Sequence, residues 1–256
     1  MRFDGKVTMV LGGSSGIGRA AAVRFAAEGA RVAVVASVDQ SKAQAVSDEI
    51  EAAGGEAGAY ACDVRNVDAL RKLTAAVESD LGPVDILINS AGLYYPTPLG
   101  ETAEADYDRM ADINLKGTFY AIDCVAPGMK ARRYGKIVNV SSVAAVLGIG
   151  TYSLYCATKA AVAMLTKTLA RELAPFDINV NAIAPGNTAT PLNEHLRVDP
   201  AHREYIEGME ALTPSNRAFS SPEEMAALCL YLASDDARSL HGSRILADEG
   251  ISSGVG

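Results

Sequence analysis

Tyr155 and Lys159 stand four residues apart, the spacing that places two side chains on one face of a helix, one turn from each other. A free phenol titrates at about pH 10 and suits neutral chemistry poorly, but a nearby ammonium stabilises the phenolate and makes it a usable proton donor and acceptor. Ser142 follows an apolar run and offers a hydroxyl that can hold a carbonyl oxygen beside that phenol. Far upstream, Gly12-Gly13-Ser14-Ser15-Gly16-Ile17-Gly18 separates an apolar run from a helical pattern. Glycine there lets the backbone take positive φ and lets a pyrophosphate approach a helix N-terminus, where unpaired N–H groups and the dipole favour an anion. Each signal alone has a plainer reading: a solvent-facing Tyr and Lys, or a glycine-rich turn without a ligand. Together they describe hydride transfer between a nicotinamide and a carbonyl carbon. Tyr152 competes for the role, but four residues on it meets Cys156, which supplies no cation.

These residues need elements to position them. Apolar runs of strand length fall at 6–11, 31–36, 58–62, 85–89, 136–140, 179–184 and 244–247, and helical patterns fill the gaps, notably 19–28, 67–81, 105–133, 154–174 and 222–232. Ser221 and Pro222 give the last of these a cap and a first-turn signal. Alternating strands and helices predict an α/β fold: a single-domain, doubly wound, seven-stranded parallel sheet with helices on both faces, spanning 1–256. Ligands in such sheets sit beyond the carboxyl ends of the strands, which is where the glycine run, Asp63 and Val64, Asn89 to Gly92, Ser142, and Pro185 to Thr190 all fall.

The remaining composition mostly excludes. A net charge of −8, spread along the chain, argues against a nucleic-acid partner, which wants a basic face. No apolar run reaches the roughly 18 residues of a membrane span, and with the first strand starting near residue six no signal peptide is expected, so the cytoplasm is the expected compartment. Cys62, Cys124, Cys156 and Cys229 are scattered, with no pair at metal or redox spacing; they read as reduced, mostly buried thiols, and no metal site is expected.

From about Gly5 to about Gly250 the chain resembles the short-chain dehydrogenase/reductase family. The resemblance implies a Rossmann fold binding NAD(P) and catalysis by Asn114, Ser142, Tyr155 and Lys159, with Asn114 distorting its helix to hold a proton-relaying water. It assigns the cofactor to Gly12, Ser14, Ser15, Gly16, Ile17, Gly18, Ala36, Ser37, Asp63, Val64, Asn89, Ala91, Gly92, Tyr155, Lys159, Pro185, Gly186, Thr188 and Thr190. Asp63 is expected to meet the adenine amine, or else to cap the next helix. The chain departs from the pattern at Leu11 and Ser90, where Thr and Asn are usual, at Thr188, and at Asp248-Glu249-Gly250, where Asp-Gly-Gly is usual.

Cofactor choice turns on the end of the second strand, where an acid binds the ribose diol and repels a 2′-phosphate. Ala36 holds the acid position and Ser37 the next, while Asp39 fits a helix cap better than a ribose contact. NADP is favoured over NAD, with Ser37 or Arg19 in reach of the extra phosphate. Residues 191–220 break the alternation and correspond to a substrate lid. His195 and His202 in it read as surface residues, while Leu192, Leu196 and Tyr205 are able to cover a pocket. Tyr94 and Tyr95 either line its mouth and stack on a ring or serve as packing. The expected activity interconverts a secondary alcohol and a ketone on a small-molecule substrate. The alternatives are a 3-oxoacyl-thioester reductase and, in another class, a non-catalytic nucleotide sensor, which should have lost Tyr155 or Lys159. By resemblance the chain is expected to form a homo-oligomer, a tetramer or dimer.

Overall fold

In the computed structural model, which describes residues 1–253, seven parallel strands form one sheet in the order β3-β2-β1-β4-β5-β6-β7. In chain order the elements are β1 (Val7–Leu11), α1 (Gly16–Ala27), β2 (Arg31–Ala36), α2 (Gln40–Ala52), β3 (Glu56–Ala61), α3 (Val67–Asp80), β4 (Ile86–Asn89), α4 (Glu104–Ala111), α5 (Gly117–Arg132), β5 (Gly135–Val140), α6 (Ser153–Leu173), β6 (Ile178–Pro185), α7 (Glu194–Val198), α8 (Arg203–Leu212), α9 (Pro222–Ala233) and β7 (Arg244–Ala247). This is the doubly wound arrangement expected from the strand and helix alternation. The last three residues of the expected span 1–256 lie outside the described residues.

The central strands are apolar on both faces because helices cover both. On one face Val10, Val32, Val34 and Ile88 pack with Phe25 of α1, Ile50 of α2 and Leu230 of α9. On the other, Met9, Leu11 and Leu87 pack with Leu70 of α3, Ile122 of α5 and Leu173 of α6. Each fully buried side chain of this size contributes about 1.5–3 kcal/mol.

The order in which successive strands are laid down reverses between β1 and β4, a parallel pair whose register sets Leu11 beside Asn89. There the loops after the two strands part in opposite senses and open a crevice. At its edge a Cβ on Gly12 would lie 2.8 Å from the Ala91 backbone nitrogen, so only glycine lets the two loops close up this tightly.

The expected helix 105–133 forms without a break but is not α-helical throughout. A π turn at Asp112–Lys116 separates α4 from α5, centred on buried Asn114. Its side chain reaches out of the helix, accepting from the Leu93 N–H at 2.7 Å and donating to the Leu93 carbonyl at 3.0 Å. A π turn of this kind widens the helix locally and turns one residue toward a neighbour, which apolar periodicity does not encode.

Candidate active site

The carboxyl ends of the strands border one cleft of about 440 Å³. Gly12, Ser14, Ser15, Gly16 and Ile17 line one part of it, with Ala36, Ser37, Asp63 and Val64 beside them; Ala91, Gly92, Ser142, Tyr155, Lys159, Pro185, Gly186, Thr188 and Thr190 line the rest.

At the glycine run, Gly12 and Gly13 both donate to the Val35 carbonyl at 3.0 Å, fixing the turn to β2. A Cβ on Gly18 would collide with the Gly12 carbonyl, so Gly18 keeps α1 hard against the turn. Gly18 itself does not line the cleft. The start of α1 has no side-chain cap and no acid in its first turn. Its free N–H groups and dipole are therefore offered to the cleft, a cradle suited to a dinucleotide pyrophosphate.

Beyond β2, Ala36 is buried and Ser37 exposed, and Asp39 is the cap of α2, accepting from the Ser41 N–H at 3.1 Å. Arg19 is not part of the cleft lining, and its guanidinium is paired with Glu49 at 2.6 Å on the surface. Asp63 does not cap α3, a role taken by Asn66. Its carboxylate is held in a fork by Arg65 at 2.6–3.0 Å, and that hydrogen bonding keeps its pKa below the ordinary carboxylate value.

Besides Gly18, two expected site residues lie behind the cleft wall rather than on it. Asn89 is buried, and its amide donates to Asn139 Oδ1 at 2.8 Å, tying β4 to β5. Its Nδ2 is thereby used within the sheet, while its buried Oδ1 has no partner among the described residues. Asn114 is the second, held by Leu93 and by Thr158 at 3.2 Å.

Around Tyr155 the geometry is tight. Lys159 donates from Nζ to the Val140 carbonyl at 2.9 Å and lies 5.7 Å from the Tyr155 ring centre. The position a Gly92 Cβ would occupy is 3.4 Å from both Lys159 Nζ and Asn114 Oδ1, so these two groups flank the same point. Ser142 is buried at the end of β5, and its Oγ accepts from the Ala144 N–H at 3.1 Å.

Burial raises the Tyr155 phenol above its ordinary value, while the Ser142 hydroxyl pulls it the other way. Lys159 and an oxidised nicotinamide are both expected from the sequence to stabilise the phenolate; in the protein alone burial is the larger influence. The same burial brings Lys159 down to about 8, and among the described residues no carboxylate offsets it.

Several lining residues carried no recognisable signal, among them Val143, Ile149 and Phe219. They come from separate loops that meet only in the fold. Tyr94 was singled out, and its ring lies parallel to Tyr152 with centres 4.5 Å apart and edge-on to Tyr155 at 4.9 Å. Residues 191–220 supply Leu192, Leu196 and Tyr205 to the wall. The segment is tied at its base, where Ala189 donates to the Ser220 carbonyl and Ser220 to the Asn187 carbonyl, both at 2.9 Å. Glu249, whose φ of 57° is one that glycine adopts more easily, accepts from Ser220 Oγ at 2.7 Å.

A parallel doubly wound sheet, a glycine cradle at its switch point and a Ser, Tyr and Lys converging on the same cleft define a nucleotide-dependent oxidoreductase scaffold. Residues 12–252 match the family model described as enoyl-(acyl carrier protein) reductase. The chain is 37% identical to the 3-oxoacyl-[acyl-carrier-protein] reductase of Thermotoga maritima, over 98% of this chain and 99% of that protein. It is also 37% identical to a 3β-hydroxysteroid dehydrogenase of Mediterraneibacter gnavus, over 98% and 96%. A blue fluorescent protein from a metagenomic library, solved in complex with NADPH, superposes with a TM-score of 0.88 at 32% identity, covering 98% of this chain and 100% of that one. The chain belongs to the short-chain dehydrogenase/reductase family and is an NAD(P)-dependent oxidoreductase interconverting alcohols and ketones.

Proposed function

We propose that Tyr155 is the general acid and base of this reaction, that Ser142 holds the substrate oxygen, and that Lys159 and Asn114 serve the proton path. The observation that carries this reading is the convergence of Ser142, Tyr155 and Lys159 on one cleft beside the glycine cradle. When bound, the nicotinamide supplies or accepts the hydride at the substrate carbon. In reduction, Ser142 Oγ donates a hydrogen bond to the carbonyl oxygen and fixes it against the phenol. Tyr155 Oη then gives its proton to that oxygen as the carbon becomes tetrahedral. A phenol raised by burial stays protonated at neutral pH, the form that reduction needs. Lys159, brought to about 8, holds or releases a proton near neutrality and is suited to restoring the phenol's. Asn114, by holding Leu93, fixes the loop that faces Lys159.

Gly12, Ser14, Ser15, Gly16 and Ile17 would hold the pyrophosphate, Asp63 and Val64 the adenine end, and Ala91, Gly92, Pro185, Gly186, Thr188 and Thr190 the nicotinamide half. NADP is preferred over NAD, since no acid stands at Ala36 and Ser37 is open to the cleft. The NADPH complex of the metagenomic neighbour supports that preference. Residues 191–220 act as a lid over the substrate, the whole chain works as one domain in the cytoplasm, and it assembles as a homo-oligomer. A second reading, reduction of a 3-oxoacyl thioester, is favoured by the name of the Thermotoga relative.

The test is ketone reduction followed by reduced-nicotinamide absorbance with NADH and with NADPH. Tyr155→Phe is expected to lower kcat by roughly 10²–10⁴-fold with cofactor affinity unchanged. Full activity in Tyr155→Phe would refute the assignment, and a faster NADH reaction would reverse the cofactor preference.

A further inference from the structure

Residues 191–220 leave the sheet after β6 and end just before α9, and their two ends are zipped together. Thr188 and Ser220 form a parallel bridge, with Ala189 donating to the Ser220 carbonyl and Ser220 to the Asn187 carbonyl, both at 2.9 Å. Each end reaches the cleft, through Thr188 and Thr190 on one side and Phe219 on the other. A side-chain tie joins this junction to the end of β7. The Oε1 of Glu249 accepts from the Ser220 hydroxyl at 2.7 Å and lies 3.3 Å from Arg217 Nη1, while the Glu249 carbonyl accepts from the Ser215 N–H at 3.3 Å. These contacts are sheltered: Ser220 is 3% exposed and the Glu249 side chain 15%. Arg217 extends the tie to α9, whose Glu224 holds the same guanidinium in a fork at 2.7 and 2.9 Å.

Glu249 makes these bonds from a strained backbone position. Its φ of 57° lies in the left-handed region, where a Cβ crowds the following carbonyl and glycine sits with least cost. Local sterics therefore favour glycine at 249, and the contacts of the Glu249 side chain must outweigh that strain. A buried hydroxyl donating to a carboxylate beside a guanidinium is a charge-assisted contact away from bulk water, among the stronger hydrogen bonds a protein makes. Hydrogen bonding by Ser215 and Ser220 also holds the Glu249 carboxyl below its ordinary value, so it is ionised at neutral pH. We infer that Glu249 is a positioning residue: its carboxylate clasps the base of residues 191–220 to the end of β7 and so keeps that segment closed over a bound nicotinamide cofactor. Without the clasp the bridge between Thr188 and Ser220 is free to open, and Thr188, Thr190 and Phe219 lose their fixed places in the cleft wall. That role rests on the reading of residues 191–220 as a lid.

Three variants of the full chain, Glu249→Gly, Glu249→Gln and Ser220→Ala, test it by amide hydrogen exchange and by NADPH release, followed through the fluorescence of the bound dihydronicotinamide. Glu249→Gly relieves the backbone and removes the carboxylate. It is expected to speed both exchange within residues 191–220 and NADPH dissociation by roughly tenfold, as the loss of one charge-assisted hydrogen bond predicts, while exchange in the sheet strands keeps its wild-type rate. Ser220→Ala leaves residue 249 in place and should reproduce both effects. Glu249→Gln keeps an acceptor for the Ser220 hydroxyl and should stay within about threefold of wild type. Unchanged exchange of the segment in Glu249→Gly would overturn the clasp and leave the lid reading untouched. Faster exchange with unchanged NADPH release would instead sink the lid reading, and with it the role given to Glu249. A Gln variant as damaging as the Gly variant, or faster exchange spread through the sheet, would reduce Glu249 to a general structural residue and likewise overturn the inference.

Discussion

Two lysines are buried in this molecule, at opposite ends of the same sheet, and their surroundings differ. Lys159, at the carboxyl ends, has among the described residues only the Val140 carbonyl, at 2.9 Å, as a partner for its charge. Lys136, at the amino ends, donates to Asn179 Oδ1 at 2.9 Å and has Asp235 at 3.7 Å. Burial lowers both, but at Lys136 Asp235 opposes the shift, whereas nothing opposes it at Lys159, which falls to about 8. One end of the sheet is thus neutralised and serves packing; the other keeps an uncompensated, titratable group beside a phenol. Uncompensated burial is what marks a site built to move protons.

The largest effect expected from this contrast is in the pH dependence of stability. With its folded value at about 8 against an ordinary 10.5, Lys159 is protonated in both states below pH 8, where its burial penalty is fully present. Between those two values the unfolded chain binds more protons, so stability rises with pH. Wild type should gain roughly 3 kcal/mol relative to Lys159→Met over that interval in urea unfolding. The corresponding gain relative to Lys136→Met should be smaller, because Asp235 already supports that charge. Parallel stability curves for wild type and Lys159→Met would break the contrast.

A second expectation sharpens the functional end. Gly18→Ala puts a methyl against the Gly12 carbonyl and must push α1 away from the turn. Cofactor dissociation constants should rise by roughly tenfold to a hundredfold, since an ångström of misplacement is enough for that. Unchanged affinity by titration calorimetry would show that the cradle tolerates the shift.

The smallest effect belongs to the amino end. Asp235 is 89% exposed in its side chain, so Asp235→Asn should change stability by less than about 0.5 kcal/mol despite the buried partner. A thermal melt within error of wild type is the expected result.

How much of this could be read beforehand follows from what each feature depends on. The bounds of β2 match its apolar run, because a buried parallel strand is written in its own residues; those of the half-exposed edge strand β7 match as well. β3 begins at Glu56, earlier than its pattern suggests, because its pairing with Arg31 and Val32 rather than its own propensity sets the start. The glycine cradle was legible since backbone constraints demand one residue type. The π turn at Asn114, the commitment of Asn89 to Asn139 and the diversion of Arg19 to Glu49 were not, because each is decided by a partner far along the chain. The raised Tyr155 phenol belongs to the same group: spacing reveals the nearby ammonium, and only the fold reveals how deeply both groups lie.

The two lysines give the most direct test of the account. Lys159→Met and Lys136→Met should be compared in ketone reduction with NADPH and in urea unfolding at pH 7. Lys159→Met is expected to lose roughly 10²–10⁴-fold in kcat without becoming less stable, while Lys136→Met keeps its activity per folded molecule. Wild-type turnover in Lys159→Met, or an equal loss of turnover in both, would contradict the account.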